Sequence, residues 1–175
     1  VYKRQALEVV EHSERDNAGV MLDCWHFFRG GSQPADIDRL DQQQAARINS
    51  IQVNDAPVRP ARLSARQKLG MAAVMLDNAR DGLQVMGARR FAQVASSAHN
   101  PHPDAMDLMK EASGMRLLPG QGDMPVAELL TALDRAGVRP TVGLEIFSLE
   151  LMRQAPHQAA AQAMAAYRKL IDVQG

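Results

Sequence analysis

The sequence predicts an α/β fold with a parallel sheet, and three observations carry that reading. Segments with helical spacing alternate with short apolar runs. Gly or Pro marks most of the boundaries between them. Each apolar run also ends in a side chain bearing oxygen, as the strands of a βαβ array do where they reach an active-site face.

Ala6 to Glu14 has apolar residues at helical spacing, and Asp16-Asn17-Ala18-Gly19 stops that helix and starts a turn. Val20-Met21-Leu22 is the first strand, ending at Asp23 and leading through Cys24-Trp25-His26 to the loop at Gly30-Gly31. Pro34 opens a second helix across Ala35 to Arg47, with Ile37, Leu40 and Ile48 on its apolar face. The second strand is Ile48 to Asn54, broken at Ala56-Pro57. Asp123-Met124-Pro125 opens a further helix, with Leu129, Leu130 and Leu133 on the inner face and Gly137 as its stop. Val142 to Phe147 is the third strand, and Ala159 to Ile171 a closing helix.

The segment from Val58 to Gly122 is too long for a βα loop. Leu69, Met71, Val74, Met75, Leu83, Val85, Met86 and Phe91 predict a broken helix or helical pair from Ser64 to Ala98, so 58–103 reads as a helical insertion. Its arginines from Arg59 to Arg90 outnumber its acids and read first as a solvated face beside a Met-rich stripe.

The 20 basic and 20 acidic residues cancel, which excludes a global field for nucleic acid or an anionic membrane. No apolar run approaches the roughly 20 residues needed to span a bilayer. The lone Cys24 forms no internal disulfide, and its setting reads as cytoplasmic. Val1-Tyr2-Lys3-Arg4-Gln5 resembles the translated end of a transposon adapter, so 1–5 is set aside as an artefact and 6–175 is read as one domain part.

Alternate residues of a parallel barrel's strands point inward, and strand C-termini form the active-site face. With Val20 and Leu22 facing the helices, Met21 and Asp23 face in. On the second strand Ser50, Gln52 and Asn54 face in, and on the third Gly143 and Glu145. Asp23, Gln52 and Glu145 thus stand in phase at three strand ends. Any one alone is as well explained by a helix cap or by solvent, but together they form a hard oxygen donor set, suited to Mg²⁺ or Mn²⁺.

The runs Gly19 to Gly31, Ile51 to Pro57, Arg116 to Asp123 and Val142 to Ser148 resemble, in order, the sugar phosphate isomerase/epimerase group of xylose isomerase-like barrels. The resemblance implies the C-terminal portion of a (β/α)8 TIM barrel, acting on a sugar phosphate or related polyhydroxy carbonyl compound through an enediolate. It implies Asp23 and Glu145 as metal ligands, Gln52 where histidine is commonest, and Glu145 as a base. His26, in Asp-x-x-His, is the implied substrate contact and an assisting acid or base. Arg29 follows the same strand end and reads equally as a surface arginine or as a contact for a substrate carboxylate or phosphate. The preceding glutamate ligand is expected before residue 1, so this chain alone is expected to turn over little and to associate through an open sheet edge, as a homo-oligomer.

Gln52 also resembles the 3-dehydroshikimate dehydratases of the superfamily, which makes a lyase the alternative. A non-catalytic sugar-binding or assembly module is a third reading. The superfamily's DNA-repair endonuclease needs histidines that are absent here.

Overall fold

The computed structural model describes residues 2–60 and 105–172, with Arg62, Ser64, Ala65, Leu76, Arg80, Gln84 and Gly87 between them. Most of the stripe assigned to the 58–103 insertion, and the first residue of the set-aside 1–5 segment, lie outside the described residues. The chain divides into two compact units, Val1–Arg59 with Ala112–Gly175, and Pro60–Glu111.

In the first unit, helix α1 (Tyr2–His12) is followed by β1 (Val20–Asp23), α2 (Cys24–Arg29), a 3-10 turn (Pro34–Asp36), α3 (Gln42–Ala46) and β2 (Ile48–Val53). Later come α5 (Val126–Arg135), β3 (Thr141–Leu144), a second 3-10 turn (Leu151–Arg153) and α6 (Pro156–Asp172). Helix α4 (Ala105–Gly114) lies between β2 and α5; in the second unit, its residues Asp107 and Glu111 are buried. The three described strands form one parallel sheet, as the alternation of strands and helices predicts, and they lie in the order β1-β2-β3.

One irregularity sets the sheet's phase. Val20 pairs with Ile48 but Met21 pairs with Ser50, so Asn49 is an extra residue in β2. Ile48 and Ile51 are both buried although three positions apart, which strict alternation forbids. A Cβ on Gly19 would strike the Asn49 side chain and the Arg47 carbonyl, so the residue facing the bulge must be small. Beyond the slip the register is regular: Asp23 pairs with Gln52, and Gln52 with Gly143. Leu22, Ile51 and Val53 are buried on the helix side while Met21 is exposed on the other, the parity expected from the sequence.

Two helices differ from expectation. No single helix spans Ala35 to Arg47, because Asp41 captures the Gln44 N–H that a continuous helix would use, while Asp36 closes a separate 3-10 turn. Asp36 accepts from Gln33 N at 2.8 Å, and Asp41 accepts from Gln44 N at 2.8 Å and restarts the chain as α3. Ile37 is fully buried all the same. Helix α4 was not resolved from its surroundings by pattern. The expected helix after Pro125 is present as α5, with Leu129 and Leu133 buried and Gly137 closing it at φ 74°.

Strand β3 stops at Leu144 rather than Phe147: Glu145 N still donates to Val53 O at 3.3 Å, but the residues from Phe147 on pair elsewhere. Phe147 O accepts from Arg116 N at 3.0 Å, and Ser148 bridges Met115. Leu117 and Asp55 exchange backbone hydrogen bonds of 3.0 and 2.8 Å. The strip Met115–Leu117 therefore crosses the C-terminal ends of β2 and β3.

Truncation of Ile51 to Ala should cost about 2–5 kcal/mol in denaturant unfolding, whereas Met21→Ala on the open face should cost within about 0.5 kcal/mol. Equal costs would contradict the parity assignment. Burial pushes the Cys24 thiol up to about 12, so a thiol reagent at pH 8 should modify it at the rate of unfolding. Rapid modification of the native chain would show the thiol to be open.

Candidate active site

Asp23 ends β1 and serves two elements at once. Its Oδ1 accepts from His26 N at 2.9 Å, capping the short helix α2. Its Oδ2 accepts from Asn54 Nδ2 at 3.0 Å and from Arg116 Nη1 at 2.8 Å. The helix-cap role and the inward carboxylate, weighed against each other in the sequence, are therefore both realised.

Glu145 directly follows β3 and is about one-third exposed. Its Oε2 accepts from the same Arg116 Nη1 at 3.0 Å, and its Oε1 from Gln52 Nε2 at 3.0 Å. Register explains the gathering: Asp23, Gln52 and Gly143 are neighbours across the sheet, so Glu145, two residues past Gly143, lies on their face. The structure thus brings together Asp23, Gln52 and Glu145.

Arg116 joins them, and its side chain is 3% exposed. Besides its two carboxylates it donates from Nε to Ala112 O at 3.1 Å. Its guanidinium lies 5.5 Å from the Trp25 ring centroid and 5.3 Å from that of Phe147, so two aromatic faces flank the cation. Nη2 makes no hydrogen bond among the described residues. Two carboxylates against one guanidinium leave this cluster with an excess negative charge.

His26 is exposed in the first turn of α2, its ring edge-on to Trp25 with centroids 4.9 Å apart. It borders a cavity of about 130 Å³ that Asp23, Met21 and Phe27 also line. Arg29 is elsewhere: its Nη1 and Nη2 donate to Val58 O and Pro57 O at 3.0 and 2.7 Å, so it braces the loop after β2.

Asp55, read from sequence as a turn residue, is fully buried and accepts four backbone N–H groups: Ala56 and Met124 on Oδ1 at 2.8 and 3.2 Å, Gly120 and Gly122 on Oδ2 at 3.0 Å each. Burial pushes its carboxyl above the usual range, and those four donors pull the other way. Gly120 has φ 77°, and a Cβ on Gly122 would strike the Asp55 carboxylate and the Ala56 carbonyl, so the loop's glycines are required at both places. Asn54 is fully buried, and its Oδ1 has no partner. Sequence reasoning gave no role to Arg116 or Asn54. The available signal was a single charge inside the apolar run Met115-Arg116-Leu117-Leu118.

Inosose isomerase of Halalkalibacterium halodurans is 39% identical over 54 residues, 31% of this chain and 19% of that protein. The crystal structure of IolI protein with a bound zinc atom superposes with a TM-score of 0.59 at 20% identity, over 96% of this chain and 42% of that one. A xylose isomerase-like TIM barrel/4-hydroxyphenylpyruvate dioxygenase fusion protein gives a TM-score of 0.57 at 21% identity, over 94% of this chain and 19% of that one. At such identities these structural likenesses show the fold, and the chain spans less than half the length of each relative. The family model of the xylose isomerase-like TIM barrel matches residues 3–170, and the chain belongs to that family.

Proposed function

We propose that the whole protein is a divalent metal-dependent isomerase or epimerase of a polyhydroxylated carbonyl compound, working through an enediolate. The observation that carries this reading is the convergence of Asp23 Oδ2 and Glu145 Oε2 on a single cationic nitrogen, 2.8 and 3.0 Å away, at the ends of parallel strands. Among the described residues no three His, Cys, Asp or Glu side chains are gathered for a metal. Two converging carboxylates with an amide beside them still suit a hard cation in their chemistry, with Asp23, Glu145 and the Gln52 amide oxygen as its holders. Mg²⁺ or Mn²⁺ bound there would supply polarisation of the substrate's carbonyl and adjacent hydroxyl.

The chain's own groups divide the remaining work. Moving a proton between neighbouring carbons needs a reachable base, and Glu145 is the more accessible carboxylate. Asp23, buried and committed through both oxygens, holds position. Arg116 is fixed in its aromatic slot with Nη2 still able to donate, so it can stabilise an oxygen that gains negative charge. His26 is placed to meet a substrate hydroxyl and to relay a proton.

The charge balance of the cluster bears on substrate. With Arg29 bound to carbonyl groups and two acids facing one guanidinium, an uncharged polyhydroxy ketone fits better than a phosphate or carboxylate. The name of the inosose isomerase relative agrees with that class. The positive segment from Arg59 to Arg90 argues the other way, and most of it lies outside the described residues. A dehydratase is the second reading, favoured by Gln52, whose amide hydrogen-bonds Glu145 and could tune it as the base of an elimination.

Mn²⁺ titration by calorimetry should show affinity falling more than about tenfold in Asp23→Asn and in Glu145→Gln; unchanged affinity in both would remove the metal assignment. In the whole protein, Arg116→Met should lower kcat by about 10²–10³. An inosose, a ketose phosphate and 3-dehydroshikimate, assayed side by side with Mg²⁺ and Mn²⁺, should rank with the inosose first. Preference for the phosphate would overturn the charge argument, and dehydration of 3-dehydroshikimate would establish the lyase instead.

A further inference from the structure

The site's arginine is not held by its partners alone. Arg116 sits on a strip of irregular backbone, where a side chain is only as well placed as the chain that carries it. Downstream, that strip is tied to Asp55 twice over. The backbone of Asp55 pairs with Leu117, the residue after Arg116. The Asp55 carboxylate then gathers the N–H groups of Gly120, Gly122 and Met124 into one buried knot. Asp123 N donates to Ala56 O at 2.9 Å, which closes the same junction from the other side. Among the described residues no backbone acceptor takes the Gly120 and Gly122 N–H groups, so the carboxylate is what fixes this loop.

We propose that Asp55 is a positioning residue for Arg116: its carboxylate anchors the Gly120–Met124 loop, and through Leu117 that anchor sets the guanidinium between Asp23 and Glu145. Asp55 itself touches none of the reacting groups. The effect on turnover rests on the isomerase reading above, but the geometric claim does not, and the two can be tested apart.

Asparagine at position 55 keeps the size and one acceptor oxygen, yet turns an N–H₂ group toward donors that need an acceptor. A local reporter is built in, because the chain's only tryptophan is Trp25, whose ring lies against the Arg116 guanidinium. The experiment compares Trp25 emission and near-ultraviolet circular dichroism in the wild-type chain, Asp55→Asn, Gly122→Ala, Arg116→Met and the Asp55→Asn/Arg116→Met pair, with far-ultraviolet circular dichroism as the check on folding. Asp55→Asn and Gly122→Ala should shift the Trp25 signals in the direction set by Arg116→Met. The double variant should shift them no further than Arg116→Met alone, since no arginine is left to displace. A folded Asp55→Asn chain with wild-type Trp25 signals would overturn the proposal. So would loss of fold in both Asp55→Asn and Gly122→Ala while Arg116→Met stays folded, because Asp55 would then support the fold at large and not the arginine. If the Trp25 signals move as expected and turnover in the whole protein is unaffected, the catalytic role given to Arg116 fails and the positioning claim stands.

Discussion

A guanidinium taken out of water must find charge and hydrogen bonds where it goes, and most of this site follows from how Arg116 meets that demand. Its desolvation costs several kcal/mol unless paired, and removing one partner of such a buried pair typically costs about 3–5 kcal/mol. Asp23, nearly as buried as the arginine, supplies the closest counter-charge; Glu145 adds a second, partly solvated one. Ala112 O takes the Nε proton, and Trp25 and Phe147 fill the two faces. The ends of all three strands and the strip after α4 are thereby obliged to meet at one point. That obligation explains why β3 gives up its pairing after Leu144 and why the strip runs across the strand ends instead of forming a conventional loop.

Holding a cation this firmly between two acids is not the most stable use of the space. Apolar residues of the same volume would often be as stable or more so. A fixed guanidinium with one nitrogen uncommitted offers donors whose orientation need not change as charge develops, which is the circumstance in which such donors are most effective.

How much of this was legible in the sequence depended on how local the determining physics is. Strand parity is local, so Asp23, Gln52 and Glu145 could be put on one face from alternation alone, and the parallel sheet followed from chain alternation. The break between Ala35 and Arg47 is also local, but apolar periodicity at Ile37 and Leu40 masked the capping by Asp36 and Asp41. Asp55 and Arg116 were not legible for a different reason. An aspartate before Pro57 is a good turn residue in any context, and its partners lie more than 60 positions away. Arg116 is recognisable only once Trp25, Phe147 and both acids are seen around it. Arg29 shows the converse: a basic residue beside a strand end looked available, and distant backbone carbonyls had already claimed it.

The extra residue in β2 has a consequence for how this barrel segment can change over time. Point replacements alter what a side chain is and leave untouched which way it faces. Insertions and deletions do the opposite. Because Asn49 is the extra residue between two buried isoleucines, losing it would leave Ile48 and Ile51 two positions apart, as regular alternation requires, with Gln52 still on the site's face. A lineage carrying this site can therefore lose the extra residue without reversing the strand, whereas a residue inserted between Ile51 and Gln52 would turn Gln52 toward the helices.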